Sequence, residues 1–248
     1  MTSTHFLIKQ KNLRLPFAVI EGEEHHHLSK VLRIKPGKRI WLIDEQGGSY
    51  LAEVQEVGKE QTRLSILEEA DKEEVKIELT LAQGLIKSKK MDFLIQKATE
   101  LGMSSFIPVM ARRSVVKIQD KETKKIERWQ KIAAEAAKQS RRPLVPEIDF
   151  PQPFPHFIEN RNESRKLLLC ETDGRYLRDI FAEGPGRPGE GGTPSALILV
   201  GPEGGWTEEE EGLALERGFE AVSLGKQVLR AETAALAALA MISHFWNT

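Results

Sequence analysis

Residues Ser195–Val200, Ser-Ala-Leu-Ile-Leu-Val, form an apolar run of strand length that ends in Gly201-Pro202-Glu203-Gly204-Gly205-Trp206-Thr207. No other stretch constrains the fold as strongly. About twenty residues later the pattern recurs in outline. Ala221-Val222-Ser223-Leu224 runs into Gly225-Lys226-Gln227, and Val228-Leu229-Arg230-Ala231-Glu232-Thr233 then opens a helix built largely of alanine. Two strand ends, two loops and two helix starts therefore sit close together in sequence. In an open α/β sheet, the crevice at the carboxyl ends of the strands is where ligands bind.

The chain upstream supplies the rest of such a sheet. Leu79–Gln83 reads as a strand, and Ser88–Leu101 as an amphipathic helix with Met91, Leu94, Ile95, Ala98 and Leu101 on one face. Gly102 stands where a C-terminal cap belongs. Phe106–Met110 is the next strand, with Pro108 pointing to an edge or irregular position. A long helix is predicted from Lys121 to Arg141, stopped by Pro143, with Ile126, Trp129, Ile132, Ala133 and Ala136 as its buried stripe. Lys166–Cys170 is a short buried strand. Alternation of this kind means an α/β domain with a mostly parallel sheet covered by helices.

Residues 1–70 have a different texture. Short strands recur at roughly ten-residue spacing between turns such as Pro36-Gly37 and Gly47-Gly48, which predicts a small β-barrel. One helical stretch, Glu23 to Leu32, interrupts them. The charged segment Glu68–Glu74 lacks apolar periodicity and marks the boundary between a first domain, 1–70, and a second, 75–248. The tract Glu183–Pro194 is rich in Gly and Pro and reads as a surface loop.

Global charge says nothing about partners, because 36 basic side chains meet 37 acidic ones. Local charge does. From Lys87 to Arg142 there are fifteen Lys and Arg against six Asp and Glu, a basic region able to meet a polyanion. One cysteine, Cys170, excludes an internal disulfide framework and any all-cysteine zinc site, and reads as a structural thiol. In His25-His26-His27, successive helical residues point about 100° apart, so the three cannot converge on one metal ion; a partly buried or RNA-facing His is expected instead. With no signal-like start and no window of the roughly 18–20 apolar residues that a membrane helix needs, a cytoplasmic protein without metal or membrane partner is expected.

The loop chemistry narrows the ligand. Glycines between a strand and a helix invite a phosphate. Here Glu203 lies in the turn and Glu208–Glu211 crowd the helix start. Thr207 and Glu210 have the spacing of a capping box, so that helix end satisfies itself. A cationic cofactor without phosphate suits the loop better. S-adenosylmethionine is a sulfonium with an adenine edge that loop backbone can hydrogen-bond, and Leu224, Val228 and Leu229 can sandwich its ring.

Leu199 to Thr207 with Glu210, followed by Leu224 to Ala234, resembles the signature of the RsmE family, uridine-N3 methyltransferases of bacterial small-subunit ribosomal RNA in the SPOUT (trefoil-knotted) superfamily. Further blocks carry the resemblance: His26-His27-Leu28 with Val31-Leu32-Arg33, Gln96 to Gly102, Arg112-Arg113-Ser114, and Glu135 to Arg142 with Val145-Pro146. The resemblance implies a PUA-like β-barrel domain that binds RNA, followed by a knotted, mostly parallel α/β methyltransferase domain. It also implies a homodimer, which the alanine-rich last helix fits. Carried over by position, the cofactor loops are Cys170-Glu171, Gly201-Pro202-Glu203-Gly204-Gly205, and Leu224-Gly225 with Val228, Leu229, Arg230 and Thr233.

The implied activity is methylation of N3 of a specific uridine in the 16S rRNA of the small ribosomal subunit. Arg230 is expected at the transfer site, with Arg113 as a second catalytic arginine favouring the uridinate. The expected RNA contacts are Lys89, Lys90, Arg112, Arg113, Lys138, Arg141 and Arg142, with Arg33 from the barrel; His27, Ser114 and Gln139 join them through the resembling blocks. The alternatives are a methyltransferase acting on another RNA, such as tRNA, and a non-catalytic RNA-binding protein.

Overall fold

A computed structural model describes residues 5–44, 47–70, 76–114, 122–142, 144–171, 174–186 and 192–247. The expected helix start at Lys121 and stop at Pro143, residues 71–74 of the charged boundary and the middle of the Gly/Pro tract lie outside the described residues. The chain divides into two compact units, Met1–Glu74 with Ala137–Val145, and Val75–Ala136 with Pro146–Thr248. The first unit thus takes in Ala137–Val145, a segment that the sequence reading places in the second domain.

The first unit holds β1 (His5–Ile8), β2 (Leu13–Arg14), β3 (Phe17–Glu21), α1 (Gly22–His26), β4 (Arg39–Asp44), β5 (Ser49–Val57) and β6 (Gln61–Ala70). They form one sheet in the order β1-β4-β5-β6-β3-β2, antiparallel except for the β1–β4 pair. The path of pairings is open, which makes the expected barrel a half-barrel among the described residues. Its inward residues follow the two-residue period, with Ile40 and Leu42 of β4, Ala52 and Val54 of β5, and Leu64 of β6 all buried. The helical stretch differs from the single helix expected over Glu23–Leu32. After α1 the chain widens into a π-helical turn, His27–Val31, closed by the Leu32 amide donating to the His27 carbonyl. Buried His25 has its ring nitrogens against Thr62 Oγ1 (2.9 Å) and the Lys59 carbonyl (3.2 Å).

The second unit holds β7 (Glu78–Gly84), α2 (Ser88–Glu100), β8 (Ser105–Met110), most of α3 (Glu122–Ser140), β9 (Glu147–Ile148), β10 (Gln152–Pro153) and α4 (Phe154–Glu159). It continues with β11 (Arg165–Leu169), β12 (Arg175–Tyr176), α5 (Leu177–Phe181), β13 (Ser195–Val200), α6 (Glu208–Glu216), β14 (Glu220–Ser223) and α7 (Ala231–Asn247). Eight strands pair in the order β10-β8-β7-β13-β11-β14-β12, with β9 also on β8, and every pair is parallel. The near-continuous apolar strands are what a sheet covered on both faces requires. One cluster gathers α2, α3, α5 and α7 residues on the sheet; a second gathers Phe154, Phe157, Trp206 and Ala214 against Leu168, Leu197 and Leu199.

One sequence expectation is refined here. Pro108 is not on a sheet edge. β8 pairs with β7 on one side, while β9 meets it at Ser105–Phe106 and β10 at Val109–Met110, so Pro108 falls where neither short strand needs its missing amide. The short elements β9, β10, β12, α4 and α5 carry too little periodicity to be read from sequence. Helix α7 is buried along one stripe, Ala235, Ala238, Leu239, Ile242 and Trp246, while Leu236, Ala237, Ala240 and Met241 are half-buried.

One close approach ties the sheet to the loop after β13. A Cβ added at Gly84, the last residue of β7, would lie 2.6 Å from both the ring Cδ and the nitrogen of Pro202. No rotamer relieves such a clash, because the partner is backbone and a fixed ring. Gly84→Ala is therefore expected to lower the unfolding free energy by about 1–3 kcal/mol, as overpacking does. Urea denaturation checks it, and an unchanged midpoint would mean that Pro202 is not seated on Gly84.

Candidate functional site

The carboxyl ends of β11, β13 and β14 open onto a cavity of about 790 Å³. In the sheet these strands are neighbours in the order β13-β11-β14, so the chain's last two strands flank an earlier one. The loops that leave β13 and β14 therefore diverge around the end of β11, and a crevice opens between them. Cys170 and Glu171 form its floor beyond β11, Gly201–Trp206 one wall, and Leu224, Gly225 and Gln227–Ala231 the other. Of the residues predicted for the cofactor, all but Thr233 line this cavity; Thr233 is exposed, one turn into α7.

The first wall is fastened from several directions. Gln83, fully buried at the end of β7, donates its side-chain amide to the carbonyls of Gly201 (2.8 Å) and Gly84 (3.0 Å). Arg113 donates to the carbonyls of Trp206 (2.7 Å) and Gly204 (3.3 Å) from outside the loop. Trp206 packs its ring on Phe154, centroids 5.1 Å apart, and its buried indole N–H has no acceptor among the described residues. The capping box is present. Thr207 Oγ1 accepts from the Glu210 amide (3.2 Å), and the Glu210 carboxylate accepts from the Thr207 amide (3.0 Å) and from the Arg112 amide (2.9 Å). The start of α6 is occupied by its own carboxylate, which leaves a phosphate nothing to bind there.

The second wall is looser. Ser223 Oγ accepts from the Gly225 amide (3.3 Å), which folds the turn, and the Ala234 amide donates to the Arg230 carbonyl (2.8 Å), which sets the helix start. Val228 is 67% exposed, Leu229 is half-buried, and Arg230 is exposed at the cavity. Lys90 bridges the two walls: its ammonium lies 2.7 Å from Glu203 Oε1 and 3.2 Å from Glu232 Oε1. The hydrogen bond to Glu203, ahead of the burial that opposes it, raises the Lys90 pKa above the usual lysine value.

Six ionisable groups that matter chemically line the cavity: Lys90, Arg113 and Arg230 against Glu171, Glu203 and Glu211. Burial raises the Glu211 pKa first; Arg113 pulls the other way, and Glu208 and Glu171 add to the rise. Lys90 and Arg113 are spent on the walls themselves. Arg230 is thus the cation presented to a guest, beside the carboxylates of Glu171 and Glu211.

The predicted RNA contacts scatter. Lys89 and Arg112 are exposed in the second unit, Arg112 pairing with Glu209, and Ser114 closes a turn with Ala111. In the first unit Arg33, Gln139 and Arg141 are exposed, and His27 packs its ring edge against Phe6. Arg142 is half-buried, and its partial burial lowers its pKa. Lys138, only 11% exposed, is clamped on Glu24 at 2.8 Å above the Phe6 ring. Lys138 and Lys90 are both engaged by carboxylates inside their own units.

Sequence reasoning did not single out Gln83, Glu211 or Trp206 at this site. Gln83 had a signal, a lone amide closing the apolar strand Leu79–Ala82. Glu211 was visible only as one member of an acidic run.

The comparisons agree with this geometry. Residues 73–243 match the RNA methyltransferase domain family, and residues 20–67 the RNA methyltransferase PUA domain family. The Bacillus subtilis ribosomal RNA small subunit methyltransferase E is 37% identical over 96% of this chain and 94% of its own length. The protein of that name from Synechocystis is 33% identical over 98% of this chain and 80% of its own. Among solved structures, the Neisseria gonorrhoeae enzyme of that name, bound to S-adenosyl methionine, superposes with a TM-score of 0.86 at 32% identity, covering 99% of this chain and 98% of the other. A methyltransferase structure from Legionella pneumophila, in complex with bound SAM, gives 0.85 at 28% identity, covering 98% of each chain. The fold class is therefore the expected one in its two parts, a PUA-like half-barrel followed by an α/β domain with a parallel sheet. The chain belongs to the ribosomal RNA small subunit methyltransferase E family.

Proposed function

We propose that this protein binds S-adenosylmethionine in the cavity at the ends of β11, β13 and β14 and methylates N3 of a specific uridine in 16S rRNA of the small ribosomal subunit. The observation that carries the reading is the cavity's composition. Its walls are glycine-bearing backbone and aliphatic side chains, its free carboxylates suit a cation, and its helix start repels phosphate. A volume of about 790 Å³ suits a ligand of that size. The unsatisfied Trp206 indole N–H offers a further donor. These residues fit the cofactor. When bound, it supplies an electrophilic methyl group on a sulfonium.

The chain's own residues do the rest. Cys170 and Glu171, Gly201–Gly205, Leu224, Gly225, Val228 and Leu229 hold and orient the cofactor, while Thr233 stands exposed in the first turn of α7. Orientation of this kind removes much of the entropic barrier to transfer. N3 lies on the Watson–Crick edge, so the target uridine must be unpaired or extruded. The N3 proton passes to solvent, and exposed Arg230 stabilises the uridinate through its carbonyl oxygens, since an arginine is too basic to take the proton itself. Arg113 acts on the same reaction by holding the Gly204 and Trp206 carbonyls.

Residues 1–70 form the RNA-binding domain and residues 75–248 the transferase domain. Arg33, His27, Gln139, Arg141 and Arg142 meet RNA from the first unit, and Lys89, Arg112 and Ser114 from the second. A homodimer forms through the half-buried Leu236, Ala237, Ala240 and Met241 stripe of α7, and the protein works in the cytoplasm on the ribosomal subunit.

Arg230→Ala is expected to lower kcat by about 100-fold or more, the scale of a lost charge-stabilising donor, while the Kd for S-adenosylmethionine changes less than about threefold. Labelled methyl transfer to small subunits lacking the modification, followed by nucleoside analysis, reads the first. Calorimetry reads the second. N3-methyluridine as product supports the main reading, a different methylated nucleoside or tRNA as acceptor supports the alternative substrate, and no transfer by the wild type supports a binding protein.

The RNA affinity should fall steeply with salt, with a log–log slope of about −0.7 to −0.9 per phosphate contacted. Replacing Arg33 and Arg141 together should reduce that slope by about 1–2, whereas a salt-independent Kd would remove the basic residues from the interface.

A further inference from the structure

We infer that Lys90 is a positioning residue that joins the two walls of the cofactor cavity, through the bridge Glu203–Lys90–Glu232, and so fixes where Arg230 stands. The inference rests on the proposed binding of S-adenosylmethionine in this cavity. It replaces the RNA contact that the basic region Lys87–Arg142 had offered for this residue.

Three elements meet at one ammonium. Lys90 comes from the first turn of α2, Glu203 from the loop after β13, and Glu232 from the first turn of α7. The Lys90 side chain is 30% exposed, that of Glu203 24% and that of Glu232 13%, so the charged ends of the bridge are partly withdrawn from water. Without the lysine, two carboxylates would face each other where the walls converge. With it, both are neutralised and both loops are held to one point on α2.

The placement of the lysine is itself informative. The first turn of α2 contains no acid, and Lys89 and Lys90 sit there against the helix dipole. Lys89 is exposed to solvent. Lys90 is turned toward carboxylates supplied by distant segments, 113 and 142 residues further along the chain. A charge kept at an unfavourable helix end and compensated only by tertiary partners marks a residue held for its site. Glu232, by contrast, is well placed at its own helix start, where the α7 dipole favours an acid.

The consequence for Arg230 follows from covalent geometry. Arg230 stands two residues before Glu232 and accepts, through its carbonyl, the first helical hydrogen bond of α7 from Ala234. Anchoring Glu232 on α2 therefore anchors the backbone that carries Arg230. Anchoring Glu203 fixes the opposite wall, already tied by Gln83 at Gly201. Loss of the bridge should relax both walls, weakening the cofactor through Glu203 and slowing transfer through Arg230.

The test compares wild type with Lys90→Met, Lys90→Arg, Glu232→Gln and the double variant Lys90→Met/Glu232→Gln. Binding of S-adenosylmethionine, kcat and RNA affinity are each measured. Lys90→Met should raise the cofactor Kd about three- to tenfold and lower kcat about tenfold, while RNA affinity and its salt dependence stay as in the wild type; the double variant should be little worse than the single one, because both remove the same link. Lys90→Arg should restore most of both losses. Should Lys90→Met fail to fold, Glu232→Gln alone must still lower kcat more than it weakens the cofactor. The inference is overturned if Lys90→Met matches wild type in cofactor Kd and kcat, or if only RNA affinity falls. A wild type that binds no S-adenosylmethionine would instead remove the proposed function on which it rests.

Discussion

A fully buried amide, that of Gln83, holds the carbonyl of Gly201 against the end of β7, and the cavity depends on that contact. The loop after β13 is rich in glycine, which gives it access to a ligand and little conformational rigidity of its own. Rigidity has to be imported. Gln83 and the Gly84–Pro202 packing supply it from the sheet, Arg113 from the loop after β8, and the Thr207–Glu210 box from α6. Gln83 and Arg113 act on backbone carbonyls rather than on side chains, so the loop keeps its outer surface for a guest.

The same economy explains where the charges go. The region from Lys87 to Arg142 carries a net positive balance, yet several of its cations are used internally. Lys90 neutralises Glu203 and Glu232, Arg113 caps carbonyls, and Lys138 is sealed against Glu24. Partly buried charges need partners, because desolvation penalises each one alone. What remains outward in this region is a smaller set, with Lys89 and Arg141 among it. A basic count along the sequence therefore overstates the surface available to a polyanion.

Much of the scaffold was legible because it is written in periods. The α2 face, the α3 stripe and the apolar β13 run are each dictated by burial on one or both sides, and the structure places them as the residues demand. The capping box was legible for a similar reason: both of its partners lie within four residues. The bridge through Lys90 was not legible because its partners are 113 and 142 residues away, and a charge alone does not reveal whether solvent or a carboxylate awaits it. Pro108 takes the irregular one of the two positions expected for it. A missing amide excludes a continuous partner strand, but not two short ones that leave a gap between them. The π-helical turn His27–Val31 has no periodic signature at all.

The order β13-β11-β14 gives these local contacts their reach. Strands consecutive in sequence would be joined by a short path if they were neighbours in the sheet. Here β11 separates them, so their two exit loops are connected through space only by what spans the cavity mouth or runs beside it. Among the described residues the bridge through Lys90 does this on the α2 side, while the opposite side carries the exposed Val228 and the half-buried Leu229 without an ion pair of its own. One side of the cavity is therefore fixed by charge and the other left to close on an apolar surface. That asymmetry suits a ligand with an apolar ring and a charged, reactive centre, because the ring can settle against aliphatic side chains while the charged end meets groups of fixed charge.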